Sequence, residues 1–575
     1  MKQKSAIIIL LAGIFIFATV AFAAYHHEGE KDADKFLTAY PEAAGTKLDH
    51  CALCHCGGEY ESKGKMVSLG SCQWCHYSYG YDGAGDIETT INAYGADYKS
   101  NGRNAAAVEA IDTTDSDGDG YTNEEEIQQS TFPGNAEDHP GLTEAPHRIY
   151  TKAQLLAMPL HTEFLMMNTS RSGDFYAEYT GVPMKDLLDD AGILASATGI
   201  TVYAPDGWAQ THPLNYEDSP ETYHVYGDIP GQSYQYPPAT YFYNDQADQA
   251  KNTADGWCDY SAASCIGRSH GSAIAVTGGL KAILALKREG VALDSGVLTD
   301  ENKLDGEGPY RVVVPQKVVT APDQSSKASN QAVIWPYNYD WDHNAGACTR
   351  TVTIIKVDPL PEGMTDIDVL EAGWSYVDSE KIIVYGAIDG TDSNGNGILD
   401  SEEGADDTKD FDKDGIADYK DSDTASFRPA NGIQNITINT NKGDLANLQA
   451  YADTDPAISQ VGKPAISYPY GAVKFTVTGI DLGSSVEVSI VFPDNVPKYA
   501  QFYKITSTGW HAVDFGSNNG DNTITIKLTD GDPNTDADGV ANGVIVDPSA
   551  LGIPAEPDDD DDDDDDSCFI MTLQK

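Results

Sequence analysis

Late in the chain, apolar residues fall on every second position: Val473, Phe475 and Val477, then Val486, Val488 and Ile490, then Ile524, Ile526 and Leu528. A period of two turns one face of each stretch inward and the other to water, which predicts strands. Gly479–Ser484 and Ser517–Asn522 supply turn residues between them. Residues 426–552 are therefore expected to form an antiparallel β-sandwich.

The pattern is mixed over residues 143–385. Met184, Leu187, Leu188 and Ala191 share one helical face, with Pro183 at the first turn and Gly192 as the stop. A strand at Ile200–Ala204 follows. Leu280–Glu289 has helical spacing and ends at Gly290, so a second amphipathic helix is expected there, and Tyr310–Val314 reads as a buried strand. This is an α+β domain.

The two ends differ from the rest. Lys2 and Lys4 precede an apolar run from Ala6 to Val20 and then Ala21-Phe22-Ala23, the layout of a cleaved export signal over residues 1–23. No other stretch approaches the ~20 apolar residues of a membrane helix. Residues 553–575 contain nine consecutive aspartates, Asp558–Asp566, which repel one another and are expected to stay extended. The following Ser567-Cys568-Phe569-Ile570 resembles a bacterial C-terminal sorting signal but lacks its apolar helix. Membrane association is expected only if that signal works.

Charge narrows the partners. Among 575 residues, 36 are basic and 90 acidic, a net charge of −54. Such a surface repels nucleic acid and anionic lipid and suits cations or basic proteins.

Two motifs carry chemistry. Cys51-Ala52-Leu53-Cys54-His55 and Cys72-Gln73-Trp74-Cys75-His76 both read C-x-x-C-H. This spacing sets two thiols against the vinyl groups of one haem and leaves the next histidine as proximal iron ligand. Two haem c groups are expected on Cys51, Cys54, Cys72 and Cys75, with His55 and His76 on iron. The same four cysteines also fit a zinc ribbon. The histidine after each pair and the export signal weigh toward haem. His50, His26 and His27 are the distal candidates, and Met66 lies between the motifs. Cys56 is an additional thiol without an assigned role.

Three segments follow the twelve-residue EF-hand loop, with oxygen ligands at alternate positions and glycine at the sixth. The first has Asp115, Asp117, Asp119, Tyr121, Asn123 and Glu126. The second has Asp392, Asn394, Asn396, Ile398, Asp400 and Glu403. The third has Asp410, Asp412, Asp414, Ile416, Asp418 and Asp421. The paired loops, within residues 386–425, resemble thrombospondin-type or dockerin-like repeats. Calcium at these positions would staple the modules.

Three further resemblances concern whole regions. Tyr179-Thr180-Gly181-Val182-Pro183-Met184-Lys185-Asp186-Leu187-Leu188, Asp206-Gly207, and Gly308-Pro309-Tyr310-Arg311-Val312-Val313-Val314-Pro315 resemble the sulfite-oxidase-type molybdopterin-binding fold. Gly306-Glu307-Gly308-Pro309 downstream of two C-x-x-C-H motifs resembles the bacterial GEGP-motif dihaem c-type cytochromes. That resemblance implies an exported redox protein. The stretches Tyr468–Gly479 and Asp530–Pro548 resemble choice-of-anchor domains of surface proteins. The sulfite-oxidase resemblance implies a cysteine on molybdenum, for which Cys258, Cys265 and Cys348 are the candidates. Disulfide formation competes, with Cys258–Cys265 the local pair. Arg311 is placed to pair with Glu307. The polar groups around Arg268-Ser269-His270 and Asp342-His343 are candidates to line a cleft.

The expected organisation is multidomain: a small haem-packed region at 24–142 with one EF-hand-like loop, an α+β sulfite-oxidase-type domain at 143–385, paired calcium loops at 386–425 and the sandwich at 426–552. The leading functional expectation is an exported dihaem electron carrier, with no catalytic residue assigned, serving redox proteins or extracellular acceptors in the periplasm or at the cell surface. The alternatives are a molybdopterin-dependent oxidoreductase with a haem relay and a calcium-stabilised surface or adhesion protein.

Overall fold

The computed structural model describes residues 32–44, 46–49, 51–62, 65–68, 90–170, 172–205, 208–215, 222–227, 239–241, 262–268, 273–298, 304–318, 320, 322–324, 342–367, 373–432, 434–506, 508–513, 515 and 520–555. The chain divides into two compact units, Met1–Gly390 and Thr391–Lys575. No helix among the described residues is long and apolar enough to cross a membrane.

The first unit opens with short helices, Ala33–Ala39, Ala93–Ser100, Ala105–Ala110 and Asn123–Gln128. Helices this short have little stability alone, so capping and shared burial hold them. Asn92 and Asn104 cap the second and third by accepting backbone N–H groups, and Thr122 with Glu125 closes a reciprocal capping box on the fourth. Phe36, Leu53, Tyr94, Val108, Ile111 and Ile127 pack one core between them.

Two sheets follow. The first runs Val291–Ala292, Ile283–Arg288, Phe175–Pro183, His161–Met167, with Arg311–Val313 also on Ile283–Arg288; every pairing is antiparallel. The second runs His147–Thr151, Lys381–Gly386, Ile354–Asp358, Gly199–Tyr203, Ala209–Pro213, with one parallel pair. Side chains of both sheets meet in one large core. The helix expected behind Pro183 is present as Met184–Asp190, with Met184, Leu187 and Leu188 buried.

The expected helix at Leu280–Glu289 is instead the strand Ile283–Arg288, turned at Glu289 and Gly290 (φ 50° and 77°) into Val291–Ala292. Ile283, Leu284, Ala285 and Leu286 are all buried. Burial on both faces erases the two-residue alternation, and a short continuous apolar run then carries no helix-or-strand signal.

In the second unit, Thr424–Phe427, Ile436–Thr440, Ser485–Val491 and Thr523–Thr529 form one antiparallel sheet. Asp444–Tyr451, Ala472–Thr478, Ile545–Gly552, Gln501–Thr506 and Gly509–Val513 form the other. Val486, Val488 and Ile490 of one sheet and Phe475, Phe502 and Leu551 of the other share a single core. The strict alternation of Ser485–Val491 and Thr523–Thr529 matches their burial residue by residue.

Candidate functional sites

The first C-x-x-C-H motif is a tight turn. Cys51–Cys54 is one turn of 3₁₀ helix, and the amides of His55 and Cys56 both bond back to the carbonyl of Ala52. Asn92 ties this turn to the helix it caps. Its Nδ2 donates to the carbonyls of Leu53 (2.9 Å) and Cys56 (2.8 Å), and its backbone N–H donates to the carbonyl of Cys54 (2.9 Å). Gly95 lets the two segments approach, since a Cβ there would lie 2.7 Å from the Cys54 carbonyl oxygen. On the other side, a Cβ at Gly58 would lie 2.2 Å from the Thr90 carbonyl oxygen.

The His55 ring is oriented by Thr90, whose Oγ1 lies 2.9 Å from Nδ1. Burial holds the imidazole below its ordinary pKa and so favours the neutral ring. Cys51 and Cys54 are both reduced and half-buried; burial pushes the Cys54 thiol up to about 12. Beside Cys54, the fully buried Tyr94 hydroxyl has no hydrogen-bond partner. Two reduced thiols on one turn, a neutral imidazole oriented through Nδ1 and an orphaned hydroxyl beside them fit a covalent haem. Cys56 points into the protein, where its sulfur lies 3.7 Å from Asn135 Nδ2 and joins the core. Cys72, Cys75, His76 and the distal candidates His26, His27 and His50 lie outside the described residues, as do the side chain of Met66 and His270.

The three acidic loops share one backbone plan. In each, the sixth-position glycine has positive φ: Gly120 at 103°, Gly397 at 93°, Gly415 at 100°. The first carboxylate accepts two N–H groups: Asp115 from Gly118 and Gly120, Asp392 from Gly395 and Gly397, Asp410 from Lys413 and Gly415. The seventh-position amides of Tyr121, Ile398 and Ile416 bond to Asp119, Asn396 and Asp414, leaving their carbonyls as the ligand groups the pattern calls for. The ninth position is a brace in all three: Asn123, Asp400 and Asp418 accept the second-position N–H of Ser116, Ser393 and Phe411. Asn123 is fully buried and also donates to the Ile111 carbonyl.

Charge is least compensated in the first loop. Asp115, Asp117 and Asp119 each offer a carboxylate oxygen within 4.8 Å of the others. Asp117 Oδ2, Asp119 Oδ2 and both oxygens of the fully buried Glu126 have no hydrogen-bond partner. Burial and the neighbouring carboxylates push Glu126 up to about 9 and Asp117 to about 6. Four buried, unsatisfied oxygens facing like charges fit a hard cation such as calcium. In the third loop Asp410, Asp412 and Asp414 form such a group, and Asp412 forms another with Asp421 and Asp423. The EF-hand pattern does not include Asp423, and no sequence signal marks it. In the second loop, Nδ2 groups of Asn394 and Asn396 bond Glu403, whose carboxyl burial pushes up to about 8.

A molybdenum ligand in the central domain would have to come from its cysteines. Cys348 is buried, its thiol donates to the Asn344 carbonyl (3.4 Å), and burial pushes it up to about 11. Cys265 is disulfide-bonded, and Cys258 lies outside the described residues. A neutral thiol enclosed in the core and a disulfide sulfur do not fit a metal thiolate at an open site. The Gly-Glu-Gly-Pro segment is instead a structural junction. Glu307 pairs with Arg288 (2.9 Å) and Arg311 (3.0 Å), and Tyr179 shares its carboxylate. Among the remaining polar candidates, Arg268 stacks on the Phe164 ring, and His343 Nε2 lies 3.3 Å from Asp323.

Comparisons with known proteins add little. No protein-family model matches the chain, and no curated protein matches it. Among solved structures it is similar to the sulfane dehydrogenase SoxCD from Paracoccus pantotrophus, at 11% identity, over 68% of this chain and 62% of that one. The TM-score is 0.17. A likeness that faint carries no weight for mechanism.

Proposed function

We propose that this chain is an exported dihaem c-type cytochrome that carries electrons for redox proteins or extracellular acceptors, braced by calcium. The observation that carries the proposal is the Cys51–His55 turn, with two reduced thiols and an imidazole oriented by Thr90. Cys51 and Cys54 would hold one haem through thioethers and Cys72 and Cys75 the second, with His55 and His76 as proximal ligands. Bound there, haem supplies one-electron iron chemistry.

The protein's own residues do the rest. Asn92 fixes the turn, Thr90 directs the His55 ring through Nδ1, and Ala52 and Leu53 anchor the turn in the core it shares with Phe36 and Phe132. Cation binding would relieve the repulsion among Asp115, Asp117, Asp119 and Glu126, close in sequence to the haem region. The C-terminal antiparallel unit suits presentation at the cell surface or in the periplasm.

Protein produced in a host that matures c-type cytochromes tests this. Haem should survive denaturation, with two haems per chain by the pyridine haemochrome spectrum and one after Cys51→Ala with Cys54→Ala. Colourless protein carrying one zinc per chain would overturn the reading.

A further inference from the structure

Lys504 and Asp547 lie side by side in the core of the C-terminal unit. Both are fully buried, and Lys504 Nζ is 2.6 Å from Asp547 Oδ1. Their placement follows from register. Lys504 pairs with Ser549, two residues along the strand from Asp547, so the lysine and aspartate are diagonal neighbours on one face. That face also carries Phe502, Ile545 and Leu551, all members of the core between the two sheets. Asp547 is paired with the fully buried Phe475 on its other side.

The surroundings do not solvate this pair. Lys504 Nζ, both Asp547 oxygens and the nearby Ser549 hydroxyl are buried without a hydrogen-bond partner, so the 2.6 Å approach lacks hydrogen-bond angles. Burial drives the Lys504 ammonium toward the neutral amine. Asp536, also fully buried, adds a negative charge that acts on Lys504, while its own oxygens accept the N–H groups of Gly531 and Val546. Two opposite charges enclosed in an apolar core pay for desolvation twice. A neutral link between them would remove both charges.

We propose that Lys504 and Asp547 condense to an intramolecular isopeptide bond that clamps strand Gln501–Thr506 to strand Ile545–Gly552. A proton passes from the ammonium to the carboxylate across the contact, giving an amine and a carboxylic acid. The nitrogen lone pair attacks Asp547 Cγ, forming the C–N bond. The Cγ–OH bond breaks, and the hydroxyl leaves with a second proton from Nζ as one molecule of water. No oxidant, reductant or co-reactant is consumed. Asp536 places negative charge near the nitrogen, which is positive in the tetrahedral intermediate. Reactants fixed this way have effective concentrations on the order of 10⁵ M or more, and the apolar core keeps water from reversing the step.

The test is peptide mapping by mass spectrometry of the purified, folded full chain. The expected result is a branched peptide joining the segments of Lys504 and Asp547, lighter than their sum by one water, with no tryptic cleavage after Lys504. The branched species should be absent from Lys504→Met and from Asp547→Ala. Recovery of both segments from the wild-type chain as separate peptides of full mass, unchanged after prolonged incubation, would overturn the proposal. That readout decides the matter even if neither variant folds.

Discussion

The Thr90 hydroxyl sits 2.9 Å from Nδ1 of His55, which ties the orientation of the imidazole to a residue 35 positions away in sequence. An acceptor at Nδ1 raises the basicity of the other nitrogen. Thr90→Val should leave haem attached but weaken donation to iron. The expected outcome is a reduction potential raised by tens of millivolts at one haem of two (about 59 mV per tenfold for one electron), measured by redox titration.

Gly95 is the contact point between the helix Ala93–Ser100 and the C-x-x-C-H turn. An added Cβ meets the Cys54 carbonyl at 2.7 Å and Cys54 Cβ at 2.9 Å, and backbone cannot yield as a flexible side chain would. Gly95→Ala should cost about 1–3 kcal/mol and lower haem incorporation. Haem per chain and the thermal midpoint check it.

Calcium should stabilise the first unit by mass action, about 2.7 kcal/mol at a hundred times Kd. A chelator should lower the thermal midpoint, and added calcium should restore it. Burial and its acidic neighbours already keep Glu126 neutral at pH 7 without calcium, so Glu126→Gln should leave the calcium-free protein no less stable while the calcium response falls away. A full calcium response in that variant would remove Glu126 from the site.

Glu307 pairs with two guanidinium groups at once. Glu307→Gln leaves Arg311, which is buried, without its carboxylate. A loss of about 3 kcal/mol is expected, read as a lower urea midpoint. An unchanged midpoint would show the junction to be dispensable.

His212 is enclosed with its Nδ1 3.1 Å from the Tyr223 carbonyl, and burial, with His224 adding to it, pushes its pKa down to about 4. The ordinary value is near 6.5, so between these values the unfolded chain binds the proton and the folded one does not. Stability is therefore full above about pH 6.5 and is lost as pH falls toward 4, by on the order of 3 kcal/mol. His212→Asn should flatten that part of the profile, as urea midpoints at pH 7 and pH 5 will show.

Legibility in the sequence followed how local each cause is. The strands around Val488 and Ile526 could be read because each has one wet face. The Met184–Asp190 helix could be read because its proline, apolar stripe and glycine stop lie together. The strand Ile283–Arg288 could not, because neighbours on both faces removed its alternation. The acidic loops were legible as ligand patterns, but their ninth positions turned out to serve the loop's own backbone.

Spacing along the chain was enough to specify the C-x-x-C-H turn, the three glycine-hinged acidic loops and the alternating strands. The packed fold selects the distant partners those residues meet. It set Thr90 on His55, enclosed Cys348 in a core, joined Asp423 to Asp412 and Asp421, and apposed Lys504 to Asp547. Burial and pairing belong to neighbours in space, which sheet register and packing fix.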